Sequence, residues 1–194
     1  MVPAKPIPNA FLALSLSDET RERLMQLSAR LQQWQLAASW VERDDFHVTV
    51  LFLGTLSNAE IDTVPQAVDL VAGALVRPRL RLAGLGARGG QREPRVVYVA
   101  LEDGRGGCRD LHDDLSAAIG EAPAKDFLPH ITICRPRPAG GHDAIPGGRD
   151  WPQLLHAHGE ADWGDCLVTG LVLYQRNLER GPRYRSVANW PLTQ

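Results

Sequence analysis

A chain of 194 residues, 44% hydrophobic and 23% charged, can build one sizeable core or two small lobes sharing an interface. Its formal charge of −2, with 21 Lys+Arg against 23 Asp+Glu, excludes polyanion binding through bulk charge, so an anionic ligand needs a local cluster of positive groups. Apolar runs stay well short of the roughly 20 residues a membrane-spanning helix needs, which leaves no membrane partner expected.

The first strand is expected at 10–16, "AFLALSL", and a helix over 17–34, with Ser17 as N-cap and Leu24, Leu27 and Leu31 at helical spacing. A strand follows over 46–53, "FHVTVLFL", ended by Gly54. Regular alternation puts Phe46, Val48, Val50 and Phe52 on one face, and His47, Thr49, Leu51 and Leu53 on the other. A second helix is expected over 57–75, capped by Ser57 and kinked or broken at Pro65. Then come a strand over 77–87, a polar Gly-rich loop over 86–95, a strand over 95–102 and a helix over 107–120. Further on are a strand over 129–136, "PHITICRP", a Pro/Gly-rich loop over 137–153, a strand over 165–175 and a last strand over 184–192.

The order strand, helix, His-x-Thr strand occurs twice. Phe11 precedes His47 by 36 positions, and Val97 precedes His130 by 33. Two such units can pack about a pseudo-two-fold axis and face His47, Thr49, His130 and Thr132 across one cleft. The architecture this predicts is α+β, a single bilobal domain over 1–194, with antiparallel sheets lining a central cleft and helices outside. The pseudo-repeats carry their motifs at 47–50 and 130–133. Two imidazoles with ordinary pKa near 6.5 can divide a proton acceptor and a proton donor between them, as displacement at phosphorus requires. Two hydroxyls can hold the phosphoryl oxygens. Arginine supplies nearly all the positive charge, with only Lys5 and Lys125 as lysines. Its planar fork suits phosphate, although a GC-rich genome gives the same bias.

The paired motifs resemble those of the 2H phosphoesterases, and within them the RNA 2′,3′-cyclic phosphodiesterase branch, historically called 2′-5′ RNA ligases. "FHVTVLFLG" is similar to the first motif and "LPHITICR" to the second, while "FLALSLSDETRERL" and "RVVYVAL" resemble the strands that open the two lobes. "LYQRNLERGPRYRSVANWPL" resembles the closing hairpin through Leu178, Gly181, Pro182 and Tyr184; Arg176 departs from the serine many members carry. The resemblance implies hydrolysis of an RNA-end or nucleoside 2′,3′-cyclic phosphate to a 2′-phosphomonoester, without a cofactor, with 2′-5′ ligation as a possible reverse. It implies His130 as base, His47 as acid, and Thr49, Thr132 and Arg135 on the phosphate. Phe127 and Tyr184 are candidates for base stacking or for packing. The expected state is a monomer.

Three alternatives stay open at this level: a cyclic phosphodiesterase for another small substrate such as ADP-ribose 1″,2″-cyclic phosphate, a non-catalytic nucleotide- or RNA-binding module, and a two-histidine metal site. His156 and His158 would share a face on a strand but lack a convincing third ligand. His112 is expected on a helix surface and His142 in a loop. Three widely spaced cysteines, Cys108, Cys134 and Cys166, are expected as free thiols in a reducing cytoplasm. The N-terminal stretch, interrupted by prolines, does not read as a signal peptide.

Overall fold

The computed structural model describes residues 6–75, 77–104, 107–137, 150–177 and 182–192. β1 (Ile7–Leu16) leads into α1 (Asp18–Gln32), whose N-terminus is closed by the Ser17 side chain accepting from Thr20 N–H. Leu24, Leu27 and Leu31 are the buried stripe of that helix. A short β2 (Ala38–Trp40) and a turn of 3₁₀ helix (Arg43–Asp45) precede β3 (His47–Leu56). α2 (Asn58–Ala74) opens with a capping box between Ser57 and Glu60. It runs unbroken through Pro65, against expectation; buried Val64 and Val68 seat it on the core and offset the backbone bond a mid-helix proline removes.

β4 (Leu80–Arg88) and β5 (Val96–Asp103) form a hairpin, followed by α3 (Cys108–Ala118). Gly107 at that N-cap has no side chain to offer, and Asp103 serves instead, accepting from the N–H groups of Cys108 and Arg109. β6 (His130–Pro136) carries the second motif. α4 (Trp151–His158) stands where part of a loop was expected; Asp150 caps it by accepting from Gln153 N–H, and Pro152 sits in its first turn, where its missing N–H is harmless. The expected loop's residues 138–149, with His142, lie outside the described residues, as do Leu178 and Gly181 of the closing hairpin.

The strand expected at 165–175 is two strands. β7 (Asp162–Cys166) and β8 (Val168–Arg176) belong to different sheets, and only Leu167 separates them. Leu167 is held at the start of α1: its carbonyl accepts from Ser17 N–H at 2.8 Å and its N–H donates to Thr20 Oγ1 at 2.9 Å. β9 (Tyr184–Pro191) closes the chain. The sheets have the orders β3-β1-β8-β9 and β2-β6-β5-β4-β7. Each motif strand therefore lies beside the strand that opens its own repeat. The two halves of the chain are interleaved: β4 joins the second sheet and the β8–β9 hairpin joins the first. A shared core of leucine, isoleucine and valine, including Leu12, Leu14, Leu24, Leu82, Leu111 and Ile131, connects the two. The fold is α+β with two antiparallel sheets, as the repeat implied.

Candidate active site

In β3, Ser15 opposes His47 and Ala13 opposes Thr49, but the next partner pair is Leu12 with Leu51. Val50 is an extra residue, a β-bulge. In β6, Ala100 opposes His130 and Tyr98 opposes Thr132, after which Val97 pairs with Cys134 and Ile133 is extra. The same irregularity thus follows the threonine in both motifs. A bulge reverses the alternation of the strand beyond it. The residue five positions after each histidine, which regular pleating would turn away, joins the histidine's face. In β6 that residue is Arg135, and it lines the cleft with His130 and Thr132. In β3 it is Phe52, which pairs with Phe11 on the face of His47 and Thr49. Phe52 is therefore not in the apolar face of Val48 and Val50 as alternation suggested; it is 73% exposed, while Leu51 is buried.

Each bulge leaves a carbonyl without a ladder partner, and each is satisfied differently. Ile133 O accepts from Val41 N–H, just past β2, at 2.9 Å. β3 is an edge strand with no such neighbour, and there Val50 O accepts from His112 Nδ1 at 2.8 Å. His112 is 3% exposed rather than on a helix surface. Its Nε2 accepts from Ala124 N–H at 2.8 Å, so the ring spans β3 and the segment leading to His130.

The cleft has a volume of about 960 Å³ and is bordered by both motif strands, so His47, Thr49, His130, Thr132 and Arg135 share one space. Both rings are fixed alike. His47 Nδ1 donates to Asp45 O at 2.7 Å, and His130 Nδ1 donates to Leu128 O at 2.8 Å. A carbonyl can only accept, so Nδ1 carries the proton and Nε2 is the nitrogen left for a substrate. Packing reinforces the hold: His47 lies 5.1 Å from Phe11 and meets Tyr184 edge-on at 5.1 Å, and His130 lies 4.8 Å from Tyr98.

Desolvation pushes His47 down to about 4, against the stabilising Asp45 carbonyl, with Arg135 and His130 lowering it further. Desolvation also lowers His130, and Arg88 and then Arg135 add to the effect. Arg135 thus acts on both rings, while Arg88 flanks only the second. Burial and the nearby guanidinium groups thus disfavour the charged form of both imidazoles, and the cleft presents positive charge suited to an anion.

Of the two aromatic candidates, Tyr184 lines the cleft against His47. Phe127 also borders it, but its ring is engaged within the protein, stacked on His112 at 4.3 Å with the Arg109 guanidinium 5.1 Å from its centroid. Sequence reasoning passed over Arg88, Tyr98, Phe52 and His112. Tyr98 alone had a local signal, since it lies in the strand that opens the second repeat. His156 and His158 sit on helix α4, where two residues subtend about 200° and the rings diverge. No group of three or more metal-ligating side chains occurs among the described residues. The three cysteines are free and buried, and desolvation raises Cys134 and Cys166 to about 12. No described helix is long and apolar enough to cross a membrane.

Comparison with known proteins places this geometry. The family model described as LigT like Phosphoesterase matches residues 14–98. An RNA 2′,3′-cyclic phosphodiesterase of Aeropyrum pernix is 30% identical over 173 residues, 85% of this chain and 92% of that protein. One of Geobacillus stearothermophilus is 27% identical over 94% of this chain, which spans 56% of that relative's length. Escherichia coli LigT, solved with 3′-AMP, superposes with a TM-score of 0.63 at 29% identity, covering 98% of this chain and 100% of the other. A solved protein of Thermus thermophilus shares the fold at a TM-score of 0.69 and 24% identity, over 95% of this chain and 97% of the other. The similarity runs nearly end to end and includes both motif strands, and the chain belongs to the LigT-like phosphoesterases of the 2H superfamily.

Proposed function

We propose that this protein opens the 2′,3′-cyclic phosphate of an RNA end or a nucleoside to give a 2′-phosphomonoester. One imidazole Nε2 takes a proton from water as its oxygen bonds to phosphorus. The P–O3′ bond breaks, and the other imidazole gives a proton to O3′. Thr49 and Thr132 donate to the non-bridging oxygens, and Arg135 offsets their charge. Imidazoles move the protons and hydroxyls with arginine carry the charge, so the chemistry requires no metal. The observation that carries this reading is the matched pair of rings, each held through Nδ1 to the carbonyl two residues before it, on strands bordering one cleft. The names of the relatives point to the same reaction.

By resemblance, His130 is the base and His47 the acid. Burial and the neighbouring guanidinium groups disfavour a proton on either ring, so this direction requires the bound phosphate anion to favour the charged form of His47. A 3′-thio leaving group needs no acid; the histidine whose alanine variant it rescues is the donor. The cleft is completed within one chain, and we take the two lobes as one functional domain acting as a monomer. Buried free thiols suit the reducing cytoplasm.

The test is phosphorus NMR of the product from adenosine 2′,3′-cyclic phosphate, with and without EDTA. Expected is the 2′-monophosphate at the same rate in both. A 3′-monophosphate, or activity lost to EDTA and restored by Zn²⁺ or Mn²⁺, overturns the proposal.

A further inference from the structure

A third imidazole borders the cleft, and neither of its nitrogens is free to move a proton. His112 is buried in α3; its Nδ1 donates to Val50 O at 2.8 Å and its Nε2 accepts from Ala124 N–H at 2.8 Å. The two bonds require one tautomer, with the proton on Nδ1 and Nε2 bare. They also reach the two motifs separately. Val50 is the bulged residue of β3, directly after Thr49. Ala124 belongs to residues 121–129, which have neither helix nor strand and lead into His130. The pairing of β6 with β5 begins at His130 itself, opposite Ala100, so Leu128, whose carbonyl orients the His130 ring, lies outside that ladder. The residues just before Leu128 are held from α3 instead. Arg109 donates to Ala124 O at 2.9 Å and to Phe127 O, and the Phe127 ring is stacked on His112 with an interplanar angle of 2°.

We propose that His112 is a positioning residue, an imidazole on α3 that sets the Nε2 atoms of His47 and His130 relative to one another. This rests on the phosphodiesterase reading for the reaction in which the two rings act. The motif strands belong to different sheets, so no shared ladder fixes their mutual placement. His112 supplies a polar link between them, holding the bulge of the first motif with one nitrogen and the approach to the second with the other. Donor and acceptor must both come within about 3 Å of the groups they serve, and a misplacement of about 1 Å can cost on the order of 10²-fold. A fault in the link therefore falls on kcat more than on KM. The two ends of the link are separable by substitution. Asparagine keeps an amide donor near the place of Nδ1, and glutamine keeps an acceptor near the place of Nε2.

The experiment compares the wild-type protein with His112→Asn and His112→Gln by steady-state kinetics on adenosine 2′,3′-cyclic phosphate. Long-range proton–nitrogen correlation spectra of the same proteins show which nitrogen of His47 and of His130 bears the proton. Each variant keeps one bond of the two, so each should lower kcat on the order of 10- to 100-fold, with KM within about three-fold. His112→Asn releases Ala124, and His130 should pass from the Nδ1–H form to a mixture with Nε2–H. His112→Gln should keep the Nδ1–H form. A merely stabilising role would leave the tautomer of His130 unmoved in the folded protein. Wild-type kcat in either variant, or an unchanged His130 tautomer in His112→Asn, overturns the proposal. If neither variant folds, Arg109→Gln loosens the same segment from its exposed side and should give the same lowered kcat and mixed tautomer; wild-type values there overturn the proposal. If the wild-type protein does not hydrolyse the cyclic phosphate, the phosphodiesterase reading fails, and the His130 tautomer in His112→Asn still decides the positioning.

Discussion

Gly86 exists to make room for Tyr98. The two are direct cross-strand partners in β4 and β5, and a Cβ at residue 86 would fall 2.4 Å from Tyr98 Cζ. The Tyr98 ring in turn lies 4.8 Å from the His130 ring. A glycine with no catalytic group thus fixes the orientation of a cleft histidine through one intermediary. Gly86→Ala should cost about 1–3 kcal/mol through overpacking, lowering Tm by roughly 2–4 °C per kcal/mol. It should also reduce kcat on the order of 10- to 100-fold by misplacing His130. Adding Tyr98→Leu, which empties the space, should recover part of the lost stability. A fully additive double variant would refute the coupling.

Replacing either cleft histidine tests the proton-transfer roles. His47→Ala and His130→Ala should each lower kcat by roughly 10²- to 10⁴-fold. The proposed mechanism uses both in one displacement, and on it the double variant should fall little below the worse single one. Thr49→Ala and Thr132→Ala each remove one donor and should cost roughly 10- to 100-fold, or about 1.4–2.7 kcal/mol. Steady-state rates on a cyclic nucleotide check the order; threonine variants worse than histidine variants would reverse the assignment.

The pH dependence follows from the depressed imidazoles. Burial pushes His47 down to about 4 and also lowers His130 from its ordinary 6.5, so both limbs of the free protein's profile shift to the acid side of 6.5. The kcat/KM profile should be bell-shaped with its maximum there. A bound phosphate anion favours the charged rings and raises both limbs, so kcat should peak at higher pH where chemistry limits turnover. Folding favours the neutral rings, which makes the folded pKa values lower than the unfolded ones. Stability should therefore be intact above about 6.5 and decline as the pH falls towards 4. Arg88→Gln removes a positive charge beside His130 and should raise its pKa, as an NMR titration would show. An unchanged or lower value would contradict the placement of that charge.

His112 makes a separate claim on stability. His112→Leu would leave Val50 O buried without a partner and release the part-buried Ala124 N–H. At about 1–3 kcal/mol for the buried carbonyl, and less for the part-buried N–H, the loss should be roughly 1–4 kcal/mol. His112→Asn, which can still offer a donor near the Nδ1 position, should lose distinctly less. Chemical denaturation compares them, and equal losses would mean that the Val50 bond contributes nothing.

What the sequence made legible is local. Ser17 and Ser57 read as caps because capping bonds reach only two or three residues, and both helices begin there. The His-x-Thr strands read as strands because period 2 survives over four residues. Arg135 was expected in the cleft by resemblance, although strict alternation from His130 would have turned it away. Only pairing with β5 reveals the extra Ile133 that brings it back. The same cause hid Phe52, since a bulge is a relation between two strands and leaves no mark on one. The break at Leu167 was invisible for a similar reason. The apolar character of 165–175 is unbroken, and the change of sheet depends on Thr20, which is 147 positions away.

Leu167 has a mechanical consequence. It is the shortest crossing between the sheets, a single residue gripped on both its polar atoms by the start of α1. Such a junction resists opening like a welded seam, and the gap between the sheets becomes a gauge fixed when the chain folds. A substrate is then admitted by its thickness, with no jaw closing behind it. Structures with and without a nucleotide should superpose lobe upon lobe, and selectivity between ligands should follow their cross-section.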